Sequence, residues 1–298
     1  MAQRSDYRRF YRMETRWMDN GAFRHLNNVS YFSFFDTAVA RCLLECGYLD
    51  IARSPVIGLV AETKGRFHRR IAFPDSVQCG LRVAQLGRSS VRIEIGLFRD
   101  EDDAAAAEGH FVHVYVERES GRPVAKMPEP LQMLFDSLRT PPLETHVAHA
   151  PRRAGPESRG GFVAFLHHTT RWMDSDAYRH MNNIVYYSFF DTAITRLLLD
   201  GGFLHWHQGA AIGMAAESQC SFFSPIAFPD DVVSGLRVAH IGRSSVRYEL
   251  ALFRNQEETA SAQGHFVQVL VDGEGGRPVA IPAPLRAWLE RSRRHASG

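Results

Sequence analysis

The sequence predicts an α+β fold laid down twice in one chain of 298 residues. Three observations predict it. A pattern recurs at a fixed offset of 155 residues: RWMDNGAFRHLNN (16–28) returns as RWMDSDAYRHMNN (171–183), and Phe73-Pro74-Asp75 returns as Phe228-Pro229-Asp230. GRSSVR (87–92 and 242–247), GHFV (109–112 and 264–267) and GRPVA (121–125 and 276–280) keep the same offset. Each copy also carries one long apolar run at helical spacing, and each follows it with segments of period two. No insertion or deletion interrupts the alignment between Thr15 and Ala125, and slightly over half of the paired positions are identical. Solenoid repeats have periods of about 20–50 residues, so this is duplication of a whole domain.

The helix comes first. Asn27-Asn28 offers an N-cap, and Tyr31, Phe35, Ala38, Cys42 and Cys46 then fall on one helical stripe. Gly47 suits the residue just past the end, and the second copy repeats the pattern from Asn183 to Gly201-Gly202. The run is apolar over most of its circumference, which predicts a helix wrapped by other structure. VQCGLRV (77–83) and VRIEIGL (91–97) then alternate in period two with GRSS as the turn between them, and GHFVHVYVE (109–117) forms a third strand ended by ESGRP. One long buried helix followed by an antiparallel meander is the expected unit. A sheet with one face on a helix must cover its other face and edge, which predicts that the two copies pair within the chain as a pseudo-dimer.

PPLETHVAHAPRRAGPESRGG, rich in Pro, Gly, Arg and Ser, separates the copies. The organisation read from composition is therefore repeat 1 over 1–139, a linker over 140–160 and repeat 2 over 161–298. RAWLERSRRHASG at the end begins as a short helix in this reading and then frays. An apolar fraction of 45% and a charged fraction of 23% describe a soluble globular chain. A formal charge of +2 is too mild to indicate a nucleic-acid partner, and no apolar run is long enough for membrane insertion. Cys42, Cys46, Cys79 and Cys220 have the spacing of neither a disulfide framework nor a zinc site, so a reducing, cytoplasmic setting and no metal are expected.

Arg-Trp-Met-Asp, an Asp-x-x-x-His-x-Asn-Asn string with a helix directly behind it, the Phe-Pro-Asp turn, Gly-Arg-Ser-Ser and Gly-Arg-Pro-Val together resemble the hotdog-fold acyl-CoA thioesterases, in the group related to 4-hydroxybenzoyl-CoA thioesterase. The resemblance covers both repeats almost end to end, leaving out the linker and the final dozen or so residues. It implies a tandem hotdog, each unit an antiparallel sheet wrapped around one long helix, with active sites where two units meet. It also implies a catalytic carboxylate four residues before the His. Repeat 2 has Asp176 there, whereas repeat 1 has Gly21. Asp19 and Asp174 lie two residues earlier, several ångströms along the loop, and catalysis tolerates about one.

By that resemblance the reaction is hydrolysis of an acyl-CoA to a free acid and coenzyme A, with Asp176 as general base or as nucleophile. The helix N-terminus polarises the thioester carbonyl, and His180 and Asn183 hold the loop or touch the carbonyl. No cofactor is implied beyond the coenzyme A of the substrate. Arg88, Ser89 and Ser90, with Arg243, Ser244 and Ser245, offer a cation, hydroxyls and backbone donors to phosphate. Glu62, with Glu217 as its counterpart, is a secondary candidate. Without the resemblance, Asp before a helix reads first as a cap, His25/His180 and Asp19/Asp174 as structural, paired Asn as caps and Gly-x-Ser-Ser as a common hairpin turn. KGRFHRR (64–70) in repeat 1 against QCSFFSP (219–225) in repeat 2 reads either as a solvated basic face or as a grip on the coenzyme A polyanion. The competing functions are a non-catalytic acyl-CoA-binding module and a hotdog dehydratase or hydratase. A homodimer of the whole chain is the expected further partner.

Overall fold

The computed structural model describes residues 1–298 except 49, 51, 142–154, 205–210, 274–275 and 294–298. The chain forms two compact units, Met1–Ala154 and Gly155–Gly298. The second begins at Gly155 rather than at 161 because Glu157 is tied into it: the Arg237 guanidinium reaches the Glu157 carboxylate at 2.7 and 3.0 Å, and Ala260 N donates to Glu157 O at 2.9 Å. Residues 142–154 of the linker expected from composition lie outside the described residues.

Unit 1 runs β1 (Arg9–Glu14), α1 (Asn28–Glu45), β2 (Val56–Phe67), β3 (Ser76–Leu86), β4 (Ser90–Arg99), β5 (Ala107–Glu117) and α2 (Glu129–Ser137). Its strands pair antiparallel in the order β1-β3-β4-β5-β2. Unit 2 repeats this as β6 (Ala164–Thr169), α3 (Asn183–Asp200), β7 (Ala211–Phe222), β8 (Asp231–Ile241), β9 (Ser245–Arg254), β10 (Ala262–Asp272) and α4 (Ala283–Arg291), in the order β6-β8-β9-β10-β7.

The long helix forms where the periodicity places it. Asn27 Oδ1 accepts from Val29 N and Asn182 Oδ1 accepts from Ile184 N, each at 2.9 Å, and these are the caps. Gly47 (φ 69°) and Gly202 (φ 74°) turn the chain out through the left-handed region, where L side chains are strained. Phe32, Phe35 and Ala38 of α1 are wholly buried, and the rings of Phe32 and Phe35 meet Phe111 of β5. Gly65 makes room for that approach: a Cβ there would lie 2.9 Å from the Phe32 ring.

The other face of the sheet is covered locally by the segment ahead of β1. The Tyr7 ring lies over Gly80 and Gly96, and Ala2 N donates to Glu108 Oε2 at 2.9 Å. That lid buries the Arg82–Glu94 ion pair. In β2, Glu62, Lys64 and Arg66 occupy that same face, and a bulge between Val60 and Glu62 shifts the alternation ahead of them. Among the described residues no helix is long and apolar enough to cross a membrane.

Candidate active site

The recurring motif folds into one loop twice. Its first anchor is Asp174. The Asp174 carboxylate accepts from Arg171 N at 2.7 Å and takes the Arg171 guanidinium at 2.6–3.2 Å, closing a 3-10 turn over Trp172–Asp174. Asp19 and Arg16 do the same in unit 1, and both carboxylates are almost fully buried. Hydrogen bonds from Asn182 N to Asp174 O (2.8 Å) and from Asn27 N to Asp19 O (2.9 Å) then dock the turn on the helix cap. These aspartates are structural.

Beyond the turn the loop closes on itself. Asp176 N donates to His180 O at 2.7 Å, and Arg179 N donates to Asp176 O at 3.0 Å. Arg179 sits at φ 65° and its counterpart Arg24 at φ 61°, a conformation costly for a non-glycine residue. Met181 N donates to Ile226 O at 2.7 Å, pinning the loop to the segment before β8. The Asp176 carboxylate is half-buried, and its Oδ1 accepts from Tyr178 N (2.8 Å) and His180 N (3.2 Å). No hydrogen bond to Oδ2 occurs among the described residues. The side chain is thus held by one oxygen while the other is available to a water or an acyl carbon.

His180 contributes its main chain to this closure. In unit 1 the His25 ring packs beside Phe23, and its Nδ1 faces Leu26 O at 3.0 Å, so Nδ1 carries the proton. Burial, with Arg70 as a further cause, holds the His25 pKa below the ordinary histidine value. Asn183 is the first residue of α3, with Asn182 as its cap. The helix end has fewer donors to offer than expected: Ile184 N is taken by the Asn182 side chain and Val185 N by Asn182 O.

The structure separates two sets of residues that the sequence grouped with this loop. The GRSS turns lie at the far end of the sheet. β8 runs 11 residues from Asp231, next to the motif loop, to Ile241, and at about 3.3 Å per residue this puts Arg243, Ser244 and Ser245 roughly 30 Å from Asp176 of the same unit. Arg88, Ser89 and Ser90 stand likewise beyond β3. Their carbonyls hold the last strand and the chain after it: Tyr115 N of β5 donates to Ser89 O and Met127 N donates to Arg88 O, each at 2.7 Å. The Arg88 and Arg243 side chains are exposed.

Glu62 faces away from α1. Its Oε1 meets His110 Nε2 at 2.9 Å, and Arg92 Nη2 donates to His110 Nδ1 at 3.1 Å, which fixes the proton on Nε2. Glu217 and His265 make the same pair at 2.9 Å. The recurrence of Gly-His in GHFV was the sequence signal for this dyad, but strand register was needed to see it. The basic run of unit 1 is partly paired within the unit: Arg69 meets Asp102 and His68 meets Glu108, each at 3.1 Å. Among the described residues no cluster of three or more His, Cys, Asp or Glu side chains could hold a metal ion.

The family model described as the thioesterase-like superfamily matches residues 13–135 and again 170–289, one match per unit. The chain belongs to this superfamily. It is a thioester hydrolase of tandem hotdog fold. The 12:0-ACP thioesterase of Umbellularia californica matches at a TM-score of 0.71 and 10% identity, over 88% of this chain and 93% of that one. An acyl-ACP thioesterase from Bacteroides thetaiotaomicron matches at 0.67 and 11%, over 90% and 100%. These two likenesses support the fold. The PA5185 protein of Pseudomonas aeruginosa is 45% identical over 46% of this chain and 96% of its own, with a TM-score of 0.45. Comparison with curated proteins returned no match.

Proposed function

We propose that the thioesterase acts on acyl-CoA and that its chemistry resides in unit 2, with Asp176 as general base or nucleophile. The observation that carries this reading is the carboxylate itself: it is fixed through Oδ1 on two backbone N–H groups, and Oδ2 is left for reaction. In the general-base form, Oδ2 takes a proton from water as the water oxygen bonds to the thioester carbon. The carbonyl oxygen gains charge toward the positive end of α3, the C–S bond breaks, and the thiolate leaves to be protonated. In the nucleophile form, Oδ2 bonds to the carbon, the C–S bond breaks to release the thiolate, and water then cleaves the resulting anhydride to the free acid and the Asp176 carboxylate. His180 and Asn183 are positioning residues in both forms. The exposed Arg/Ser turns suit the phosphates of coenzyme A. The reading includes a cytoplasmic location, in keeping with four free thiols.

Thiol release from short-chain, long-chain and aromatic acyl-CoAs tests this, comparing wild type with Asp176→Asn. Turnover with at least one ester, falling by about 10²–10⁴-fold in the variant, is expected. Retention of most activity by Asp176→Asn would overturn the assignment. Coenzyme A ester binding without turnover would replace it with a binding module.

A further inference from the structure

β1 and β6 are counterpart edge strands, and the two edges are finished differently. Among the described residues β1 pairs only with β3, and β6 only with β8. Thr170 N donates to Asp230 O at 3.4 Å, so by alternation residues 168, 166 and 164 turn their main chain toward β8. Phe165, His167 and Thr169 turn theirs away from it. Among the described residues, no hydrogen bond reaches the main chain of these three on that side. Such a row of unpaired N–H and C=O groups is a template for another strand.

Unit 1 guards the same row. Phe10, Arg12 and Glu14 stand there, and Arg8 and Arg12 are exposed. Arg41 of α1 donates from Nη1 to Arg12 O at 3.1 Å, and its guanidinium lies 4.9 Å from the centre of the Tyr11 ring. One outward carbonyl is thereby capped, and a strand approaching this edge meets cations. Phe10 is drawn inward, packed on Tyr7 and Phe98.

Unit 2 lacks each of these devices. Arg8, Arg12 and Glu14 are replaced by Val163, His167 and Thr169. Arg196 is the counterpart of Arg41, but its Nε pairs with Asp200 at 2.8 Å, and His167 O is left uncapped. Val163 and Phe165 are 46% and 49% exposed.

We propose that β6 is an interface between two copies of this chain, its outer edge pairing antiparallel with the β6 edge of the second copy. With a two-fold axis at His167, the middle of the three outward residues, each outward N–H meets an outward C=O. The contact is then isologous and closes at two copies, and the guarded β1 edge adds no third. A charged strand would repel its own copy across such an axis, whereas β6 carries no Asp, Glu, Lys or Arg. The interface is one strand wide, smaller than that of a permanent dimer, so a dissociation constant of about 1–100 µM is expected. The proposal is independent of the chemistry at Asp176.

Sedimentation of the full-length protein from about 1 µM to 1 mM tests it, since that range brackets the expected constant. The mass should rise from that of one chain to that of two. His167→Pro removes an outward donor and no bond of the β6–β8 ladder. Phe165→Lys with His167→Arg puts charge on this edge as β1 has it. The axis doubles every change, so each variant should raise the dissociation constant at least about tenfold. Arg12→Pro, the matching change on β1, should leave it unaltered. A second readout needs no substitution: deuterium exchange at the Phe165, His167 and Thr169 amides should slow as concentration rises, while exchange at Phe10, Arg12 and Glu14 should not. The mass of one chain throughout the range overturns the proposal, as does growth beyond two copies. A dimer that both β6 variants leave intact, or that slows none of the three β6 amides, overturns it too.

Discussion

Units 1 and 2 hold the same loop with the same main-chain hydrogen bonds, and only one of them places a carboxylate in it. The Arg–Asp clamp, the Asn cap and the left-handed arginine are present in both units. The scaffold of the loop is therefore independent of the residue at position 21 or 176. The loop is closed by Asp19 or Asp174 and by backbone bonds, and position 21 or 176 is left to specify what the loop does. A homodimer of single units cannot vary that position in one site alone, whereas a fused pair can.

The sharpest way to break the comparison is to make unit 2 resemble unit 1. Asp176→Gly should cost about 10²–10⁴-fold in thiol release. Its thermal unfolding should change little, because the Asp174 clamp and Asn182 cap remain. The reverse change sharpens it. In an Asp176→Asn background, Gly21→Asp with Arg70→Pro should raise hydrolysis at least about tenfold, a fraction of what a positioned base is worth. Gly21→Asp alone should recover less, since Arg70 beside the new carboxylate favours its charged form and weakens it as a base. Equal recovery by the single and double variants would show that the arginine has no part in the difference.

A smaller effect tests what the units share. Asp19→Ala and Asp174→Ala each strip a buried acceptor from a backbone N–H and a guanidinium, and each should cost about 2–3 kcal/mol in urea unfolding. Unequal costs would show that one clamp has been relaxed. A further difference lies in acid stability. Burial holds His113 of unit 1 and His168 of unit 2 at a pKa of about 4, below the ordinary 6.5, and their counterparts are Gln268 and Met13. As pH falls from 6.5 toward 4 the unfolded chain takes up these protons and the folded chain does not. Stability is thus complete above 6.5 and is lost on acidification. His113→Gln and His168→Met should each lower the proton uptake on unfolding near pH 5 by about one, read from the slope of stability against pH.

Much of the fold was legible in the sequence because the duplication printed each signal twice. The α1 and α3 caps, the GRSS hairpins and the terminal glycines follow from local chemistry, which spacing reports directly. β2 was harder to read, because a bulge between Val60 and Glu62 shifts its alternation and no local pattern announces it. For the candidate site, the motif names Asp176, and the structure sets it apart from the buried Asp174 clamp. Spacing along the chain, however, carries no distance along a strand. Arg243–Ser245 looked close to the motif in character and stand at the other end of β8. Glu62, a secondary candidate in the sequence, is bonded to His110, a partner 48 residues away that only the register of β2 on β5 brings near.

The clamp at Asp19 and Asp174 has an optical consequence. It holds Trp17 and Trp172 out from the surface at 78% and 80% exposure, each edge-on to a neighbouring Phe. These are two of the chain's four tryptophans, and Trp288 is packed against Phe203. These two water-facing indoles stand on the two loops, each next to an arginine in the chain that draws in an anionic quencher such as iodide. In a variant whose other three tryptophans are replaced with phenylalanine, either indole becomes a gauge of its own loop, so the twin loops of one chain can be watched separately, without any label, in the presence of an acyl-CoA.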